Sequence, residues 1–335
     1  MATVISPSLS ELQHQASKLL LQSVSIGTRD QYYACFQKYQ EFSVSHNLVV
    51  MPLCETNLIL YATFVSNYSS HKNVSLHLAA IKFFAQIWGY PSQFRAPSPL
   101  SRLLKGIKRS HGAKHRKAKR TPITPSLLVK LGSKLFSSPL KYNDKVMLWA
   151  AMLVAFFGFL RVSEYTSEYV RSYDSQFTLC WEDVSVTNPV AYITLKSSKT
   201  DPFREGVTVR VASNGTQLCP VAALNRYIEL HTSKSGPFFQ FSDGRYLTRK
   251  GLMRVLNLIK PVGIKNMSSH SFRIGAATTA AAAGYPKWAI QTLGRWASDC
   301  YMLYIRMPES TINSLSKSLA NLSLAATTPY DPTIR

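Results

Sequence analysis

The segment from Lys105 to Arg120 constrains the fold most, because it is strongly basic and lies between two apolar regions. It contains eight Lys and Arg residues and no acidic residue. A block with so many like charges is not expected to pack into a core. A length of 335 residues also favours two domains over one. We therefore predict a domain over residues 1–110, a basic linker over 111–122 and a second domain over 123–335.

The overall charge is equally one-sided. The chain carries 39 Lys and Arg against 17 Asp and Glu, and 39 − 17 gives a net charge of +22. Such a field attracts polyanions, so nucleic acid is the leading partner and an anionic membrane surface the weaker one. The basic block could be a solvated, disordered hinge or a nuclear localisation signal, and it could also be a strap lying on phosphates; the two interpretations are compatible, and we favour both. Its candidate phosphate-binding residues are Lys105, Lys108, Arg109, Lys114, Arg116, Lys117, Lys119 and Arg120.

Cysteine usage and hydropathy indicate a soluble intracellular protein with no membrane partner. The five cysteines are scattered and form no Cys-x-x-Cys motif, which argues against a zinc site or a disulfide framework. The first 15 residues lack the basic and apolar regions of a secretory signal. The longest apolar run, Met147 to Leu160, is too short to span a bilayer and is typical of a buried helix.

Periodicity predicts a mainly α protein with one small antiparallel sheet. Residues 8–110 show helical spacing, which indicates a four- or five-helix domain in which Thr28 is a candidate N-cap. Two helices are expected after Ile123. Three short strands are then expected within residues 177–186, 190–198 and 206–213, where apolar and polar residues alternate. Helices return from Pro220 onward.

Several residues in the second domain could bind an anion. Arg161 directly follows the long apolar helix, and Glu164 could orient it through a carboxylate–guanidinium contact. His270 and Arg273 are three residues apart at the start of an alanine-rich helix, where backbone amides favour an anion. Taken alone, each has a plainer interpretation, such as an arginine snorkelling at a helix end.

Three further features follow the same pattern of individually weak signals. Lys199 lies at the tip of the predicted hairpin, with Lys196 as its competitor. The segment "TLGRWASD" offers Arg295 and Trp296. The segment "CYMLYIRM" offers two tyrosines, Tyr301 and Tyr304. A hairpin lysine is usually solvated, and lone Trp or Tyr residues usually pack in cores.

The order of these features resembles the tyrosine recombinase (phage integrase) family. The resemblance rests on "FLRVSEYTS", "SSKTDP", "HSFRIGAAT" and "LGRWASDCYMLYIR", and is closest to the Crypton and DIRS-like recombinases of eukaryotic mobile elements. It covers roughly residues 123–310, which would form an α+β catalytic domain. The N-terminal part would then be the family's helical, SAM-like core-binding domain.

The resemblance implies a role for each residue. Arg161 and Arg273 would bind the scissile phosphate, His270 would hydrogen-bond a non-bridging oxygen and help move the proton of the nucleophile, and Lys199 would protonate the leaving 5′ oxygen. Tyr304 would be the nucleophile, preferred over Tyr301 because "YIR" matches the family pattern. Glu164 would support Arg161. Trp296 or Arg295 would fill the position that is His or Trp in the family, and this choice stays open.

Elementary chemistry agrees with these roles. Fixed cationic donors stabilise the charge that gathers on a phosphodiester under attack, and guanidinium groups suit phosphate geometry. A phenol with a pKa of about 10 needs such surroundings to attack near neutral pH. We expect no metal and no other cofactor, since a metal-dependent nuclease would want convergent carboxylates and Glu182–Asp183 is the one thin candidate.

The sequence thus predicts a site-specific DNA recombinase or integrase in the nucleus that acts on double-stranded DNA and has no small-molecule substrate. The tail from Pro308 to Arg335 has Leu315, Leu319 and Leu322 at helical spacing. The spacing is typical of a helix that covers its own domain, whereas the resemblance implies a tail that docks on a neighbouring protomer, in a dimer or tetramer on DNA. Two alternatives are a type IB topoisomerase-like relaxation activity and a catalytically silent, domesticated DNA-binding protein.

Overall fold

The computed structural model describes residues 8–94, 97–112, 118–198, 201 and 203–306. The chain divides into two compact units, Met1–Lys117 and Ala118–Arg335. Among the described residues, no helix is long and apolar enough to cross a membrane.

Five helices make up the described part of the first unit. They are α1 (Leu9–Gln22), α2 (Ile26–Ser45), α3 (Glu55–Ser66), α4 (His71–Ile87) and α5 (Pro99–His111). The N-cap of α2 is Ser25 rather than the expected Thr28, because the Ser25 hydroxyl accepts a hydrogen bond from the Thr28 amide.

Aromatic residues dominate the core of this unit. Tyr39 and Tyr61 are fully buried with ring centres 5.1 Å apart, and the Tyr61 hydroxyl lies 2.7 Å from Nδ1 of His77. Helix α5 contributes Leu100 and Ile107 to the same core. The first half of the basic block is therefore an amphipathic helix that buries one face, not a strap throughout, because its apolar residues recur at helical spacing.

The second unit is helical around a small sheet. Its helices are α6 (Pro125–Phe136), α7 (Tyr142–Phe157), α8 (Pro220–Leu230), α9 (Arg249–Ile259), α10 (Ser271–Ala282) and α11 (Lys287–Leu293), and its strands are β1 (Val184–Thr187), β2 (Val190–Leu195) and β3 (Val207–Ala212). The prediction of a mainly α protein with one small antiparallel sheet is confirmed.

The sheet has the order β1-β2-β3, with both pairs antiparallel. Ile193 on β2 pairs with Val184 on β1 and Val209 on β3. Alternate residues of the central strand, Ala191, Ile193 and Leu195, are buried against the helices. The first strand is shorter than predicted, because Trp181–Asp183 form a 3₁₀ turn whose start is closed by the Asp183 carboxylate.

Helix α7 is the central element, since its residues from Val146 to Phe156 are buried with the exception of Trp149. Helix α10 packs against it and against the chain just before α6. The Ile123 amide donates to the Ser271 carbonyl at 3.0 Å, and a Cβ on Gly275 would lie 1.9 Å from the Ile123 oxygen. Only glycine permits this approach, which fixes the start of α10.

Candidate active site

The backbone at the carboxyl end of α7 positions two arginines of the site. The helix ends at Gly158, and Phe159 then takes the left-handed conformation with φ of 51°. The Gly158 carbonyl accepts a hydrogen bond from Arg295 at 3.1 Å, and the Phe159 carbonyl accepts one from Arg273 at 2.5 Å. Terminal helix carbonyls lack intrahelical partners and carry partial negative charge, so they suit two guanidinium groups.

Glu164 joins two arginines on its two oxygens. Its Oε1 accepts from Nη1 of Arg161 at 2.8 Å, and its Oε2 accepts from Nη2 of Arg295 at 2.6 Å and from the Arg161 amide at 2.8 Å. The Glu164 side chain is 1% exposed, against 16% for Arg161 and 14% for Arg295. The expected contact between Glu164 and Arg161 is therefore present, and Arg295 shares the same carboxylate.

Arg273 is buried deeply among carbonyls and one aromatic face. It is 1% exposed and donates to the carbonyls of Phe159 and Gly294. Its guanidinium lies 4.5 Å from the centre of the Trp296 ring, which is a cation–π contact. Burial lowers the pKa of Arg273 to about 9, and the charge of Arg161 acts in the same direction.

Trp296 packs tightly because Gly294 has no side chain. A Cβ on Gly294 would lie 1.7 Å from the Trp296 ring. The indole also lies edge-on to Phe159, with ring centres 6.3 Å apart. Of the two candidates for the position after Leu-Gly, Trp296 therefore lies against the aromatic residues, whereas Arg295 turns towards Glu164.

His270 stands at the N-cap position of α10 and is half-buried. Burial lowers its pKa to about 4, and the charges of Arg120, Arg273, Arg161 and Arg249 add to this effect. The imidazole is therefore neutral near pH 7 and has one nitrogen that can accept a proton.

Tyr304 lies against His270 and Trp296. Its ring centre is 5.0 Å from the imidazole, edge to face, and 5.4 Å from the indole, nearly stacked. Its backbone carbonyl accepts a hydrogen bond from the Thr278 hydroxyl on α10 at 3.2 Å. Tyr301 is 1% exposed and belongs to the core. The structure therefore brings Tyr304, rather than Tyr301, to the half-exposed edge of the cluster.

The tyrosines lie on a shorter element than expected. Helices were expected from Pro220 onward, but Asp299–Leu303 form a 3₁₀ turn and Tyr304 caps it. Gly294 ends α11, and Arg295 follows in the left-handed conformation with φ of 52°. This turn at Arg295 ends the helical run before the two tyrosines.

Lys196 is held in an ion pair. Its ammonium lies 2.7 Å from Asp183 and 3.7 Å from Glu182. Burial opposes the charged form, but the hydrogen bond and charge of Asp183 raise the pKa of Lys196 overall. The competitor Lys199 lies outside the described residues.

The carboxylate pair Glu182–Asp183 does not resemble a metal centre. Cys180 completes a group whose ligand atoms lie within 4.8 Å of one another. Burial raises the pKa of the Cys180 thiol to about 11, and the Lys196 ammonium already neutralises Asp183. Metal ions bind the thiolate form, so this donor set fits a metal poorly.

The predicted phosphate-binding residues divide between described and undescribed parts of the chain. Lys105, Lys108 and Arg109 are exposed on α5, and Lys119 and Arg120 are exposed just before α6. Lys114, Arg116 and Lys117 lie outside the described residues.

Sequence reasoning missed Arg249, whose charge acts on His270. Arg249 and Lys250 begin α9 after the cap Thr248, and both are exposed. Cations at a helix N-terminus oppose the helix dipole, so this pair was an unusual feature that the sequence could have shown.

Solved structures with a similar fold include three complexes with DNA. The XerH site-specific recombinase bound to palindromic difH substrate superimposes with a TM-score of 0.58 at 12% identity, over 88% of this chain and 78% of that one. The Tn1549 transposon integrase with a circular intermediate DNA gives 0.55 at 14% identity, over 94% and 100%. The lambda integrase dimer on a COC′ core site gives 0.54 at 13% identity, over 90% and 78%.

The chain has a tyrosine recombinase fold. At 12–14% identity, these likenesses concern the fold alone. No family model matches the sequence, and no curated protein sequence matches it significantly. Within this fold, the cluster described above joins residues from four parts of the chain: the end of α7, the start of α10, the end of α11 and the final 3₁₀ turn.

Proposed function

We propose that the protein is a DNA recombinase or integrase that cuts and rejoins double-stranded DNA through Tyr304. One observation carries the proposal: the Tyr304 ring lies against a neutral His270 and against the indole that covers Arg273. A phenol next to a proton acceptor and fixed cations is the arrangement that a tyrosine nucleophile needs.

Cutting and rejoining are two successive transesterifications at the same phosphorus. Oη of Tyr304 attacks the scissile phosphorus, a 3′-phosphotyrosyl bond forms and the bond from phosphorus to the 5′ oxygen breaks. His270 assists removal of the phenol proton, and Lys199 gives a proton to the leaving 5′ oxygen. A 5′ hydroxyl of the same or another strand then reverses the step. The bond energy is kept in the phosphotyrosyl ester, so no ATP is consumed.

Arg161 and Arg273 are proposed to stabilise the charge on the non-bridging oxygens. A guanidinium has five N–H donors, and Arg273 uses two of them on the carbonyls of Phe159 and Gly294. The other three are not used by these carbonyls. Because Arg273 is 1% exposed, its direct contact with phosphate requires the covering side chains to move when DNA binds. Arg161 is partly exposed and needs no such movement.

The exposed basic residues of α5 and of residues 118–120, together with Arg249 and Lys250, are proposed to lie on DNA phosphates. We further propose self-association on DNA through the tail, which lies outside the described residues. Entry to the nucleus through the basic block and an origin in a mobile element of the Crypton or DIRS type are likewise proposals from the sequence.

The test is covalent trapping on a double-stranded DNA with a nick placed so that the cut fragment diffuses away. The wild-type protein should form an adduct that resists boiling in detergent, and Tyr304→Phe should form none. Tyr301→Phe is the matched control and should retain the adduct. Tight, salt-sensitive binding without an adduct would indicate a silent DNA-binding protein, and relaxation of plasmids without strand exchange would indicate a topoisomerase-like activity.

A further inference from the structure

We propose that Arg295 is a positioning residue. It binds Oε2 of Glu164 and so leaves the Arg161 guanidinium free to bind phosphate. This inference rests on the proposed function, because it concerns how Arg161 is presented to DNA. It assigns to Arg295 a role different from contact with the phosphate.

The first observation is the sharing of one carboxylate. Nη2 of Arg295 lies 2.6 Å from Oε2 of Glu164, whereas Arg161 uses a single terminal nitrogen on Oε1. Carboxylates tend to bind arginine through two parallel hydrogen bonds. Oε2 accepts hydrogen bonds from Arg295 and from the Arg161 backbone amide, so the Arg161 guanidinium makes only one of these bonds and its other donors are not taken up by Glu164.

The second observation is the charge balance of a buried site. The Glu164 side chain is 1% exposed, so water and salt screen its negative charge only weakly. Without Arg295, that charge would neutralise Arg161 alone. With Arg295, the group of Arg161, Glu164 and Arg295 keeps one net positive charge for the phosphate.

The third observation is the backbone of Arg295. It has φ of 52°, in the left-handed region, at the end of α11. The Trp296 amide bonds back to the Gln291 carbonyl there, and Gly or Asn is preferred at such a position. An arginine is less favourable in this conformation, so its presence points to a need for the side chain.

The decisive experiment is a double-mutant cycle on covalent trapping. Arg295→Asn suits the backbone but removes the cation, so we expect the adduct rate at saturating DNA to fall about tenfold or more while DNA affinity changes little. In Glu164→Gln protein no carboxylate remains to capture Arg161. Adding Arg295→Asn to that background should therefore cost much less than it does in wild type. Arg295→Lys, which keeps the charge, should recover part of the lost rate.

Equal losses from Arg295→Asn in the two backgrounds would overturn the proposal, since Arg295 would then act directly or only on folding. No loss at all would also overturn it. If the wild-type protein forms no adduct, the proposed function fails instead. In that case the free energy of unfolding in urea is measured for the wild type, the two single variants and the double variant. Additive losses of stability would then refute the positioning role.

Discussion

The guanidinium of Arg273 lies 4.5 Å from the centre of the Trp296 indole, whose plane is tilted by 30° from that of Tyr304. One aromatic ring thus touches both a proposed phosphate-binding cation and the proposed nucleophile. Its position is set by the absence of a side chain on Gly294. The packing of the indole therefore helps to fix the positions of both Arg273 and Tyr304.

Trp296→Ala should both unfold the second unit more easily and stop cleavage. The side chain is 6% exposed, and truncation of a buried Trp costs about 3–5 kcal/mol. Trp296→Phe keeps an aromatic face and should lose much less stability and activity. Urea unfolding with the trapping assay measures both, and an alanine variant of unchanged stability would contradict the packing described.

His270 should make the protein less stable as the pH falls from about 6.5 to about 4. Its folded-state pKa is lowered to about 4, so the unfolded state binds the extra proton over that range. The stabilisation of the folded state by the neutral imidazole is fully present above pH 6.5 and is lost as the pH falls to about 4. His270→Asn should flatten this part of the profile of melting temperature against pH. His71, His77 and His231 also have lowered pKa values, and they contribute equally to both proteins.

Lys199, and not Lys196, should act as the general acid. Lys196 is paired with Asp183 at 2.7 Å, which keeps its proton in place. A DNA with sulfur in place of the leaving 5′ oxygen needs no protonation on departure, because a thiolate is the better leaving group. That substrate should restore cleavage by Lys199→Ala. Restoration for Lys196→Ala instead would reverse the assignment.

Neutralising two cations on α5 should make DNA binding less dependent on salt. In the double variant Lys105→Gln, Arg109→Gln, the plot of the logarithm of the DNA association constant against the logarithm of the salt concentration should become less steep. Its slope should change by about 0.9 for each lost phosphate contact, or roughly 1.8 in all. Arg226→Gln with Arg245→Gln removes the same charge from residues paired with Glu229 and Asp243, and should change the slope less. Equal effects would indicate that only net charge matters.

Much of the fold could be read from the sequence because its signals are local. The buried run that forms α7, the alternation in β2 and the glycine at the end of α4 each follow from neighbouring residues. The end of the chain's last predicted helix could not be read, because Arg295 adopts a conformation usual for glycine. A sequence pattern gives no sign of such a turn at an arginine.

Most residues of the described cluster could be singled out from the sequence, but the contacts between them could not. That Glu164 would meet Arg161 followed from their spacing. That Arg295 would share the same carboxylate, and that the carbonyls of Gly158 and Phe159 would receive two arginines, depended on how distant segments pack. Periodicity carries no information about such contacts between segments.

The most direct test of the account is to locate the bond between protein and DNA. After trapping and nuclease digestion, trypsin should release the peptide Trp296–Arg306, which contains both Tyr301 and Tyr304. Fragmentation by mass spectrometry should place the nucleotide on Tyr304, with a free 5′ hydroxyl on the released strand. A nucleotide on Tyr301, or on any residue outside this peptide, would contradict the central claim.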